Sequence, residues 1–151
     1  MTTVESITSI LEEQVSGYRT LLEVLQKERE YLVHFNAQGV EALSKEKDTV
    51  VLKLRLLEDE RCRLIKQLAK DRNIDEHISL QQLAELTHDK ALPRLRLQLI
   101  SLLQGIAEMN TFNRVLIERS SSMIKNALHF LGSVGVNAHT GTTGTRFSRE
   151  A

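Results

Sequence analysis

Glu85 and His88 stand three residues apart in AELTHDK, the Glu-x-x-His spacing that sets a carboxylate and an imidazole on one helix face in di-iron and di-manganese bundles. Such a centre needs a second pair and further inward carboxylates. Nothing in the chain complements this one, so no metal site is expected. The remaining histidines, His34, His77, His129 and His139, are spread along the chain and suggest no cluster. Cys62, in RCR, is the one cysteine, which excludes an intramolecular disulfide and any multi-cysteine metal site. Its flanking arginines could lower the thiol pKa, but a solvent-facing residue on a polar helix face is the favoured reading. No Gly-rich phosphate loop, no nucleophile elbow and no strand pattern to mount either is present. Neither an enzyme nor a cofactor is expected.

A basic stretch, Lys53, Arg55, Arg61, Arg63, Lys66, Lys70 and Arg72, could meet RNA or an acidic partner. Glu58, Asp59 and Glu60 interrupt it and no aromatic is at hand to stack on bases, so a solvated helix face is favoured. Lys+Arg and Asp+Glu number 20 each, which argues against a general nucleic-acid or acidic-membrane binder. No stretch approaches the roughly 18 apolar residues of a membrane span, and the start, MTTVESITSI, has neither the basic nor the apolar region of a leader. A cytoplasmic protein without membrane insertion is expected.

The elements carrying these residues are helices. One proline, seven glycines and six aromatics in 151 residues are the profile of long helices, not of a sheet with its turns. Val4, Ile7, Leu11, Tyr18, Leu21, Leu25, Leu32 and Phe35 recur at spacings of three and four, with Gln14 and Glu28 as the polar exceptions. After NAQG, at 36–39, the pattern restarts as Val40, Leu43, Val50, Leu54, Leu57, Leu64 and Leu68, with Lys47 and Arg61 as exceptions. Folding the two arms antiparallel makes facing residue numbers add to 75 throughout. The exceptions then pair as well, Glu28 with Lys47 and Gln14 with Arg61. We read them as two part-exposed, register-setting layers, worth little in stability and more in specificity.

Beyond Lys70 a polar linker leads to Ser79 and Gln82, a capping box for a short helix, and Pro93 suits the first turn of the next. Helices are expected at about 3–36, 40–70, 79–88 and 92–131. They form one domain over 1–131: an all-α, elongated antiparallel three-helix coiled bundle with a short extra helix in the second connection. Gly- and Thr-rich residues 132–151 read as a flexible, disordered tail. At 1.5 Å per residue the last helix is about 60 Å long against about 50 Å for the first, so its end is expected to overhang. Its expected seam is Leu95, Leu99, Leu102, Ile106, Met109, Leu116, Met123 and Phe130.

That helix also carries the candidate binding surface. Met109, Phe112, Leu116, Met123, Leu128, Phe130 and Leu131 combine adaptable methionines with aromatic anchors, as a surface that repacks around another amphipathic helix would. Core is the favoured reading for the stripe before residue 116, and core and partner surface are equally expected after it, where the first two helices run out of length.

The ordered combination of a long first helix with Glu28 in KERE, a second with Lys47 in SKEKDTVVLKL, a variable linker and a last helix reading NTFNRVLIERSSSMI resembles the FlgN family of flagellar export chaperones over about residues 5–131. The family's Asn-rich segment followed by Leu, Ser and aliphatics falls on Asn110, Asn113, Leu116, Ser120 or Ser121, Ile124 and Leu128. The resemblance implies a cytoplasmic chaperone for type III flagellar export. It would bind the hook-filament junction proteins FlgK and FlgL, prevent premature assembly and aid delivery to the export gate, needing neither nucleotide nor metal. It also implies client contact through the C-terminal helix, so Asn113, Ser120 and Ile124 join the stripe as client-binding residues. The alternative is a structural coiled coil that self-associates, as a homodimer, through its last helix. Asn113 and Ser120 keep two readings: polar groups that a client satisfies, or ordinary register-setting residues.

Overall fold

Apolar residues at three- and four-residue spacings, few β-branched runs and a single proline produce helices, and the computed structural model describes residues 1–132 as four of them. They are α1 (Thr3–Val33), α2 (Ala37–Arg72), α3 (Leu80–Thr87) and α4 (Ala91–Leu131), with no strand among the described residues. The all-α bundle expected from the periodicity is what forms. Apart from Gly132, the tail expected at 132–151 lies outside the described residues.

Local chemistry explains the helix ends. At the start of α1, Thr2 Oγ1 accepts from Glu5 N at 3.1 Å, while Glu5 Oε2 accepts from Thr2 N at 2.9 Å. Ser79 and Gln82 exchange the same pair of bonds at α3, as their spacing predicts.

The first turn begins two residues earlier, and ends three residues earlier, than expected. It occupies 34–36, not 36–39. Phe35 takes the left-handed position with φ 55°, its N–H bonded to Leu32 O at 3.2 Å and that of Asn36 to Tyr31 O at 2.8 Å. This is the paired closure that usually employs glycine. Asn36 Oδ1 then accepts from Gly39 N at 2.9 Å and caps α2. Gly39 is therefore a residue of the first turn of α2, and its lack of a side chain serves packing: a Cβ there would stand 2.7 Å from Cδ1 of the Tyr31 ring. Phe35, expected to face Val40 across the hairpin, is instead 63% exposed, because the left-handed residue turns its side chain off the helix line.

Packing divides the helices into two compact units, each containing a segment of α1, α2 and α4. The first unit comprises Met1–Leu22 and Asp48–Gly105. Its core is apolar: Ile7, Leu11 and Val15 of α1 meet Leu64, Ile65 and Leu68 of α2 and Leu92, Leu95 and Leu99 of α4, with Leu83 of α3 packed among them. The second unit comprises Glu23–Lys47 and the chain from Ile106 onward. There Leu32, Val40 and Ile117 form a small buried cluster flanked by Tyr31 and Leu116.

Candidate functional site

Four polar side chains interrupt the seams of α1 and α2, and the structure treats the two pairs differently. In the second unit Glu28 is only 2% exposed, although a part-exposed pair was expected. Its Oε2 lies 3.2 Å from Lys47 Nζ, the facing partner that the register predicts. Its Oε1 accepts a hydrogen bond at 2.8 Å from Asn113 Nδ2, which also donates to the Leu25 carbonyl at 3.0 Å. Asn113 is 1% exposed. Because a carboxylate and a carbonyl both face this amide, only its NH2 group can point at them, and the amide orientation is thereby dictated. Its Oδ1 is left buried without a partner. Desolvating a carboxylate is tolerable only where donors meet it, and here a cation from α2 and an amide from α4 do so.

In the first unit, Gln14 does not meet Arg61 directly. Its Nε2 donates to Glu58 Oε2 at 2.9 Å, and Arg61, one turn further along α2, holds the same carboxylate. The reason is chemical: an ionised carboxylate is a stronger acceptor for a guanidinium than an amide oxygen is, and Glu58, on α2 just off the apolar seam, serves both donors. The Arg61 guanidinium holds the Glu58 carboxyl below its usual value, aided by Gln14, while burial and the nearby Glu58 charge raise the Tyr18 phenol. Gln14 is only 2% exposed, although a part-exposed pair was expected, whereas the side chains of Glu58 and Arg61 remain partly open to water at the rim.

The polar network in the second unit bears on which face of α4 is offered outward. One line along α4, through Ile106, Asn113, Ile117 and Leu128, is buried, with Ser120 and Ile124 half-buried beside it. The line expected to be the seam packs as far as Ile106 and departs from the buried line beyond it. Leu95, Leu99 and Ile106 are buried as expected, but Leu102, Met109 and Leu116 are only half-buried, Met123 is 51% exposed and Phe130 89%. Successive residues of a helix point about 100° apart, so Met109, Leu116, Met123 and Phe130 form a second stripe beside the packed one. Phe112, also exposed, lies on this outer stripe, and the Arg29 guanidinium of α1 sits 5.6 Å from its ring centroid.

Next to the stripe is an apolar groove that sequence reasoning did not anticipate. Ile117, Ser120 and Ile124 of α4 line it together with Tyr31, Leu32 and Phe35 at the end of α1, and Ala37 and Val40 at the start of α2. Its signal in the sequence was Asn36 followed three residues later by Gly39, which places the cap and hence the left-handed Phe35.

Of the ten residues expected to bind a client, Phe112, Met123, Phe130 and Leu131 are exposed. Met109 and Leu116 are half-exposed on the outer stripe, and Ser120 and Ile124 open on the groove. Leu128 and Asn113 are buried, the latter with its amide already bonded within the chain. Among the described residues, no group of three or more His, Cys, Asp or Glu could hold a metal ion, and no helix is long and apolar enough to cross a membrane.

Among known protein families, the model described as FlgN protein matches residues 1–142. No curated protein and no solved structure matches the chain.

Proposed function

Since the chain belongs to the FlgN family, and so to the flagellar export chaperones, we propose that it binds the amphipathic terminal helices of the hook-filament junction proteins FlgK and FlgL through the outer stripe of α4 and the adjoining groove. In this reading it works in the cytoplasm by affinity alone, without catalysis or cofactor. It covers the client's assembly surface until delivery to the export gate.

The observation that carries the proposal is the exposure of Phe112, Met123 and Phe130 on one helix face beside an apolar groove. Large apolar residues lined up on one helix face in water are costly unless something covers them, and an amphipathic helix offers a matching apolar face. From Met109 to Phe130 the stripe is about 32 Å long, enough for a client helix of some twenty residues. Covering it contributes roughly 25 cal/mol per Å² of apolar surface, from which the ordering of the partners is subtracted. Two methionines in the stripe suit two clients, because an unbranched thioether adapts to different partner shapes. Such binding stays reversible, as handover requires.

The test is a calorimetric titration of the full chain with the terminal helical segments of FlgK and FlgL, alongside Met123→Asp and Phe130→Asp. Micromolar or tighter binding that weakens at least tenfold in either variant is the expected result. The same exposed stripe also favours self-association through α4. A folded protein that binds neither segment but dimerises through residues 109–130 would replace the chaperone reading with that one.

A further inference from the structure

We propose that the outer stripe of α4 seats an amphipathic helix whose apolar face is edged with carboxylates one heptad apart, and that Arg29 and Arg119 read those charges. The inference rests on the proposed function in taking the stripe as the client's seat, and adds the chemistry that the client must carry.

On α2, Arg61 and Arg63 are answered within their own helix, each pairing with a glutamate three residues earlier, Glu58 and Glu60. Arg29 and Arg119 have no such option, because the positions three and four residues away on either side of each carry no acid. Both side chains are exposed, and among the described residues no carboxylate pairs with either. Their placement gives this a use. The Arg29 guanidinium, 5.6 Å from the ring centroid of Phe112, sets a cation from α1 over the first aromatic of the stripe. Arg119 follows Leu116 by three residues and precedes Met123 by four, so it shares their side of α4. Between Phe112 and Phe130 it is the one charged residue there, since Arg114, Glu118, Lys125 and His129 lie about 100° or more around the helix from the stripe. Glu108, the nearest acid of α4 on this side, stands a turn before Phe112. Seven residues separate Phe112 from Arg119, about 10 Å along α4. Two unanswered cations are thus spaced like successive heptad positions of a second helix.

A partner covering the stripe takes water from both. A neutral or basic edge would leave the guanidinium groups unpaired in a drier setting, whereas a carboxylate opposite each forms charge-assisted hydrogen bonds. Stacking on Phe112 holds the Arg29 fork in place beforehand, which lowers the ordering cost of pairing it. Apolar contact therefore supplies the affinity, and the two arginines discriminate among amphipathic helices that would otherwise fit equally.

The test uses the full chain and two helical peptides of three heptads with the same apolar face, one with Glu and one with Lys at two edge positions seven residues apart. In calorimetric titrations the Glu peptide should bind at least tenfold tighter than the Lys peptide, by a margin that narrows as salt is raised. In Arg29→Glu/Arg119→Glu, whose fold is checked by circular dichroism, the preference should reverse. Equal binding of the two peptides by the unaltered chain overturns the proposal, and so does a preference that the double variant retains. The terminal segments of FlgK and FlgL are titrated alongside. If they bind where neither peptide does, the double variant should weaken them at least tenfold, and an unchanged affinity overturns the proposal while leaving the chaperone reading in place. A charge preference among the peptides without binding of the junction segments supports the proposal and removes FlgK and FlgL as clients. No binding of any of the four by the folded chain overturns both.

Discussion

The unit formed by residues 1–22 and 48–105 and the unit formed by 23–47 and 106–132 contain segments of the same three long helices, yet they exclude water in different ways. In the first, the interior is leucine, isoleucine and valine apart from the buried Gln14 amide, and the Glu58–Arg61 pair to which it donates keeps contact with solvent. In the second, a carboxylate and an amide lie inside while Met123, Phe130 and Phe35 lie outside. An interior specified by volume tolerates any apolar residue of about the right size. An interior specified by a hydrogen-bonding partner does not, and it can leave large apolar side chains on the surface without losing its arrangement. The first unit is thus suited to holding the bundle together, and the second to presenting a face.

Replacing a fully buried leucine of the first unit is the largest test of that contrast. Leu92→Ala should cost about 2–5 kcal/mol in urea denaturation, since a leucine-sized void opens among packed neighbours. A cost near zero would deny that unit its role in stability. Next comes the comparison of the two amides. Asn113→Ala leaves a buried carboxylate oxygen without its donor and should cost about 1–3 kcal/mol, whereas Gln14→Ala leaves Glu58 with Arg61 and water, costing about 0.5–1.5 kcal/mol. If Gln14 proved the more costly, the distinction between inner and rim layers would be lost.

Phe35→Gly should change stability in the other direction. Glycine removes the side-chain penalty at φ 55°, so the variant should be more stable by about 1 kcal/mol, read as a rise in Tm. It should also bind client segments more weakly, because an aromatic lining the groove is gone. A fall in Tm would mean that Phe35 packs more than it strains.

The smallest effect is pH dependence in the first unit. Arg61 holds the folded-state pKa of Glu58 below its unfolded value, so the folded protein favours the carboxylate. That contribution is present above the unfolded pKa and is lost as pH falls through the acid range to the folded pKa. With the Glu58 side chain 44% exposed, screening reduces it to a few tenths of a kcal/mol at most. Glu58→Gln should flatten the acid limb of a stability-versus-pH curve by that amount. Steepening would show that the carboxylate is net unfavourable where it stands.

Much of this architecture was legible beforehand. The four helices, the Ser79 capping box and the facing of Glu28 and Lys47 follow from spacing, because helix periodicity and a hairpin register are local or arithmetic properties of the chain. Partners off the periodic lines were not legible. Glu58 reads as one of three consecutive acids on a solvated face, and only folding shows that Gln14 and Arg61 converge on it. Phe35 escaped for a related reason, since a cap one residue after it takes precedence over the apolar rhythm that includes it.

By itself, then, the sequence determined that the apolar residues of α4 recur with helical spacing and that Asn113 and Ser120 interrupt them. Which residues turn inward was decided by the tertiary structure. Because α4 is one continuous helix, the face that buries Leu92, Leu95 and Leu99 runs on through Ile106, Asn113 and Ile117, and there Glu28, brought from α1 into a dry interior, meets the Asn113 amide.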